Sequence, residues 1–450
     1  MNNKRKVVII IFIAAMLLRS ILCILNRQAN DDHVSVVNWI ADKHTLPQKA
    51  DCWSCYQPKL YYIVCAELVT LFHVHGSHQR IEVMQLVNLF ISFFILLLFW
   101  KFIEKQPLSP RNKLLVFAFF AFNPCLTGIN VQGTNDTPAI VFGVLAVYAA
   151  DSFFKEMKIT ALIVMLLALI AGAVTKASVI VLTGVVIVML ALKIIAESSV
   201  KNKLASTKYL FVLLVCFFLI VPFAGEYYQN YKQHGTLNLS TWNRDARPYF
   251  FKTTPVYRPG LQNMLEGFFT FRYFDMLRQP YINNERDNYP MHRTSLWSQL
   301  YGRTVFMHFD QWPPAWQTHN NVSVNIGRIL IALGIIPLIH FLIGLISSMD
   351  FVRHLFRRDK MYLAASQNYL HFLVTIAFLC ASVFYTYNFR DFSSMKSIYI
   401  FPGLLSFIKL VCDGLNYVKN KVAVKITERV LMAMVIVSVC DIGFLICQLR

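Results

Sequence analysis

Long apolar runs, separated by short basic stretches, dominate the chain from end to end. A helix needs about 20 apolar residues to cross the hydrocarbon core of a bilayer. Roughly eleven runs reach or approach that length. They lie near 7–26, 81–100, 114–127, 138–154, 159–174, 177–194, 209–225, 326–347, 367–385, 397–413 and 430–447. The division between 159–174 and 177–194 rests on Thr175-Lys176, which interrupt an otherwise continuous apolar stretch. Two segments break the rhythm, 27–80 and 226–325. In the first, His33–Thr45 has an apolar face at Val34, Val37 and Ala41, with Val36 and Ile40 beside it. Ser35, Asn38 and Asp42 mark the other face. After Pro58, Leu60–Phe72 is apolar nearly all round. Both runs predict helices that lie in the interface or pack on the bundle. The second segment is rich in aromatics, Pro and Arg, and predicts short helices.

Basic residues orient the runs, because inside loops collect Lys and Arg. Lys4-Arg5-Lys6 places the start inside. Alternate loops are then basic: Lys101 to Lys113, Lys155 and Lys158, Lys193 to Lys208, Arg353 to Lys360, and Lys419 to Arg429. The intervening 128–137 has no Lys or Arg. One threading satisfies every loop and predicts an odd helix count, with 27–80, 226–325 and the C-terminus outside. A cleaved signal peptide is disfavoured at 1–26, where no small-x-small site follows the run and Arg19 interrupts it. Arg19 itself either serves function at membrane depth or snorkels to the outer interface. Glu67 and Asp151 read as interfacial residues without a special role.

Composition agrees. The 450 residues are 56% hydrophobic and 15% charged, with 37 Phe. Soluble domains carry about 25% charge. Mean hydropathy is +0.49. A net charge of +19 raises the question of nucleic acid. Basic inside loops account for it instead, so no nucleic-acid partner is expected. The chain reads as one all-α polytopic membrane domain over residues 1–450, with membrane lipids as its surroundings.

Candidate chemistry clusters in the outer segments. Asn30-Asp31-Asp32-His33 follows the first apolar run at the start of an amphipathic helix. A carboxylate there meets a substrate whose tail lies in lipid and whose head lies in water. A base that deprotonates a hydroxyl must lie within about 3 Å of it. The competing reading makes Asp31 the N-cap of the following helix. Cys52-Trp53-Ser54-Cys55 is open between a local disulfide and zinc with His73, His75 and His78. Lys176, Arg390 and Lys396 sit in outer turns where orientation rules do not call for cations. They suit a phosphate; alternatively they bind lipid head groups or pair with Asp136 and Asp391.

Several short motifs, taken in order, resemble those of the GT-C glycosyltransferases, within the protein O-mannosyltransferase and aminoarabinose transferase branch. They are the acid pair Asp31-Asp32, then Tyr56-Gln57-Pro58-Lys59-Leu60-Tyr61-Tyr62, Thr134-Asn135-Asp136, Thr175-Lys176, and Lys396-Ser397-Ile398-Tyr399-Ile400-Phe401-Pro402. The likeness spans about residues 1–410. It departs at Asp32, where Glu is usual, and at Lys59, where Pro is usual. No large soluble C-terminal domain is expected.

The resemblance implies a GT-C-like bundle of helices. It also implies transfer of a sugar, with inversion, from a polyprenyl-phosphate carrier to an acceptor hydroxyl on a lipid, glycan or protein. Asp31 would be the base, and Asp32 would orient it or contact the acceptor. His33, Gln57, Lys59, Tyr61, Asn135, Asp136, Lys176, Arg390, Lys396 and Tyr399 would contact substrate. No cofactor and no metal is expected. A transporter of lipid-linked sugars is the alternative. It is disfavoured by the absence of internal repeats and of paired broken helices.

Overall fold

Proline and asparagine set several helix boundaries. Ser109 caps α5 by accepting a hydrogen bond from the Asn112 amide, with Pro110 in its first turn. Asn123 does the same for α6, accepting from the Leu126 amide at 2.9 Å, followed by Pro124. The run expected at 114–127 is therefore two helices. Pro124 has no amide proton to continue α5, and the Asn123 side chain starts a new helix instead.

The computed structural model describes residues 3–26, 32–48, 51–197, 211–212, 214–218, 228, 231–232, 261–280, 295–306, 321–350, 369–388 and 395–449. Its helices are α1 (Asn3–Leu25), α2 (Val34–Lys43), α3 (Leu60–Leu71), α4 (Ser77–Glu104), α5 (Pro110–Ala121), α6 (Pro124–Ile129), α7 (Asp136–Glu156), α8 (Ile159–Ala173) and α9 (Ile180–Glu197). Short helices α10 (Leu261–Phe269), α11 (Tyr273–Arg278) and α12 (Leu296–Val305) follow, as expected for the second long segment. The chain ends with α13 (Asn321–Ser347), α14 (Leu370–Asn388), α15 (Leu404–Tyr417) and α16 (Lys421–Leu449). Short 3-10 turns at Ala177–Val179 and Ser397–Gly403 lead into α9 and α15. The expected run at 209–225 falls largely outside the described residues, as does much of 226–325.

Among the described residues, α1, α4, α7, α13 and α16 are long and apolar enough to cross a membrane. The protein is an all-α, multi-pass membrane protein. The break at Thr175-Lys176 is real: α8 ends at Ala173 and the Lys176 amide returns to the Gly172 carbonyl. Close helix contact uses small residues, as in other membrane bundles. Gly344 lies against the Leu410 main chain, and Gly414 against that of His340, so α13 and α15 meet backbone to backbone. Gly143 of α7 lies against Pro402 and seats the 397–403 turn on that helix.

Arg19 does not snorkel. Its side chain is fully buried, and its guanidinium donates to the Ala121 carbonyl at 2.8 Å and to Ala15 at 3.1 Å. Ala121 ends α5, where carbonyls lack helical partners and carry partial negative charge. That end of α5 gives the buried cation a partner.

Helices α2 and α3 pack on the bundle. Val34, Val36, Val37 and Ile40 meet Tyr62, Cys65 and Val69, with Ile81 and Met84 of α4, in a small separate core. Arg80 of α4 clamps α2 through both Asp42 oxygens, at 2.7 and 3.1 Å, and through Asn38 at 3.0 Å. These bonds hold the Asp42 carboxyl below its usual range.

Candidate active site

Four stretches far apart in sequence meet at the N-terminal end of α7. Asp136 is its first residue, where a carboxylate is favoured by the helix dipole. The Lys176 ammonium forms an ion pair with it, and both side chains are nearly buried. Asn135, wholly buried, donates to the Thr175 carbonyl at 2.9 Å and to Gln57 Oε1 at 3.4 Å. The Leu60 amide bonds the Val174 carbonyl, so the first long segment is stitched to the 174–176 turn. Tyr399 presents its ring to Lys176 at 5.6 Å. His33 and Lys396 lie near enough to Asp136 to interact with it electrostatically.

His33 occupies the N-cap position of α2 and is buried, while the adjacent Asp32 is exposed with a left-handed backbone. Asp31 lies outside the described residues, as does Arg390. The Ser35 hydroxyl closes the turn on the Asp32 carbonyl at 2.7 Å.

The structure thus gathers His33, Gln57, Asn135, Asp136, Lys176, Lys396 and Tyr399, with Asp32 at the head of α2. Two expected contacts face elsewhere. Tyr61 is buried and donates to the Met84 carbonyl at 3.1 Å, so it packs on α4. Burial raises its phenol well above the usual range. The Lys59 ammonium turns back onto the Cys55 and Gln57 carbonyls. Both residues support the loop. Cys52 and Cys55 are joined as a disulfide, so they are not zinc ligands here. His73, His75 and His78 are exposed beyond α3.

Sequence reasoning missed the residues that hold the site together. Gln85, fully buried in α4, donates to the Asn26 carbonyl at 2.7 Å and the Val131 carbonyl at 2.8 Å. Asn88 donates to Gln132 and, at 2.7 Å, to the Thr134 carbonyl. These amides tie the exit of α1 to the loop that leads into Asp136. The signal was two polar residues three apart in an apolar run, which places them on one helix face.

Asp151 also departs from expectation. It is buried at the other end of α7, about 22 Å from Asp136 at 1.5 Å per residue. It pairs with Lys155 at 2.8 Å and faces His371 at 3.4 Å, and His371 in turn meets Ser406 at 3.1 Å. Asp151 lines a polar cavity of about 250 Å3 with His371, Lys409 and Asp413.

The architecture defines the class: a multi-pass helical membrane protein with a polar cluster at one end of its bundle. No family model and no curated protein matches the sequence. Among solved structures, the chain is similar to the oligosaccharyltransferase of Archaeoglobus fulgidus, crystallised with Zn and sulfate. Identity is 12% over 96% of this chain and 53% of that one, with a TM-score of 0.49. The chain therefore spans about half the length of that enzyme. It is also similar to ArnT from Cupriavidus metallidurans bound to undecaprenyl phosphate. There identity is 11% over 90% of this chain and 77% of that one, with a TM-score of 0.35.

Proposed function

We propose that the protein is an inverting glycosyltransferase that moves a sugar from a polyprenyl-phosphate carrier to an acceptor hydroxyl on the outer side of the membrane. One observation carries this reading. Four of the five motifs that resemble GT-C transferases, separated by up to hundreds of residues, converge in space on the N-terminal end of α7, with His33 from beside the acid pair. Scattered lipid-binding lysines would have no reason to do so.

In this reading Asp31 takes the proton of the acceptor hydroxyl as its oxygen attacks the anomeric carbon. The bond from that carbon to the phosphate oxygen breaks, and polyprenyl phosphate leaves with the electron pair. Lys176, Lys396 and Arg390 offset the charge that grows on the leaving oxygen. Lys176, held by Asp136, must share itself between carboxylate and phosphate. The two long segments, 27–80 and 226–325, then lie outside.

The test is incubation of the purified protein with a panel of polyprenyl-phosphate sugars and acceptors, with products read by mass spectrometry. Asp31→Asn keeps the size of the side chain and removes its basicity. Transfer should fall by about 10²-fold or more. Near-normal transfer by Asp31→Asn would move the base to Asp32. A wild-type protein that carries sugar lipids across vesicles without transferring sugar would make it a transporter.

A further inference from the structure

Tyr62 lies outside the residues assigned above to substrate. It is fully buried in the small core of α2, α3 and α4. Its hydroxyl shares a hydrogen bond of 2.5 Å with Nδ1 of His33. The two rings lie within 20° of parallel, with centroids 5.7 Å apart. His33 is itself 5% exposed, follows the acid pair directly and lies near Asp136.

An imidazole presents two different nitrogens, and the bond made at one sets what the other does. A phenol hydroxyl that donates to Nδ1 places the ring proton on Nε2. Stacking fixes the plane of the ring. Whatever Nε2 meets, its direction and its proton are then set from the far side of the ring, by a residue that does not touch substrate.

We infer that Tyr62 is a positioning residue that holds His33 as the Nε2–H tautomer, so that His33 acts as a hydrogen-bond donor to substrate beside Asp136. This rests on the glycosyltransferase reading for its role in turnover. The His33–Tyr62 pair itself does not depend on that reading.

Tyr62→Phe keeps the ring and its packing and deletes the hydroxyl. Turnover at saturating donor should fall about tenfold, or roughly 1.4 kcal/mol. The KM for donor should stay within about twofold, as for an interaction that strengthens in the transition state. Tyr62→Phe combined with His33→Gln should be no slower than His33→Gln alone, because residues acting as one unit are not additive. Nitrogen-15 NMR of labelled histidine should show His33, assigned by the signal lost in His33→Gln, as the Nε2–H tautomer. In Tyr62→Phe it should become a mixture. Unchanged turnover in Tyr62→Phe, effects that multiply in the double variant, or an Nδ1–H tautomer in the wild type would each overturn the inference. If the wild type transfers no sugar from any donor, the proposed function fails while the NMR comparison still decides the pair. If Tyr62→Phe does not fold, the wild-type tautomer decides it.

Discussion

Lys176→Met deletes the ammonium that pairs with Asp136 and keeps much of the apolar stem. The two side chains are 12% and 11% exposed, so the carboxylate left behind is far from water. Removing one partner of a buried pair costs about 3–5 kcal/mol, because the other charge stays desolvated. Lys396 still acts on Asp136 and offsets part of the loss. The expected cost is therefore at the lower end, about 3 kcal/mol. Adding Asp136→Asn removes the orphaned charge and should recover most of that stability. Thermal unfolding in detergent, followed by tryptophan fluorescence, measures both steps. Turnover separates the structural role from the chemical one. If Lys176 also serves the phosphate, the double variant regains stability but still turns over about tenfold more slowly than Asp136→Asn alone. The reasoning is refuted if Lys176→Met melts within about a degree of the wild type, or if the double variant is as unstable as the single one.

Gln85→Leu leaves the Asn26 and Val131 carbonyls without their side-chain donor. At about 1–3 kcal/mol for each buried unsatisfied group, it should lower both the melting temperature and transfer. Gly414→Val drives a side chain into the His340 main chain and should cost at least about 2 kcal/mol, read as a lower melting temperature or loss of folded protein on size exclusion. The Arg80–Asp42 clamp should depend on pH. Because the folded Asp42 carboxyl is held low, its contribution is complete above the unfolded value of about 3.9 and is lost as pH falls through the lower folded value. Asp42 is 57% exposed, so the contribution is at most about 1 kcal/mol. The advantage of the wild type over Asp42→Asn should be present at about pH 6 and fade in melts taken toward about pH 3.

Much of the architecture was legible in the residues. Apolar runs predicted the spanning helices, and Thr175-Lys176 predicted the break between α8 and α9. The apolar face of 33–45 and the apolar run 60–72 predicted helices that lie in the interface or pack on the bundle, and they pack on it. Asn123-Pro124 carried an equally local signal for a helix break inside the run at 114–127, where one helix was expected. The motifs that mark the candidate site were legible as short patterns, each ambiguous alone.

What the sequence determined by itself was the partition of the chain between lipid and water, because hydrophobicity and helix-breaking chemistry act on neighbouring residues. Which polar atoms meet was decided only by the tertiary structure. Tyr62 rather than Tyr61 faces His33, Arg19 turns onto Ala121 instead of the interface, and Asp151 is buried against His371. Gln85 and Asn88 find carbonyls 44 to 59 residues away. A hydrogen bond depends on positions set to within a few tenths of an ångström, and those are fixed by how whole helices pack, down to a glycine such as Gly143 that lets the Tyr399 turn settle on α7.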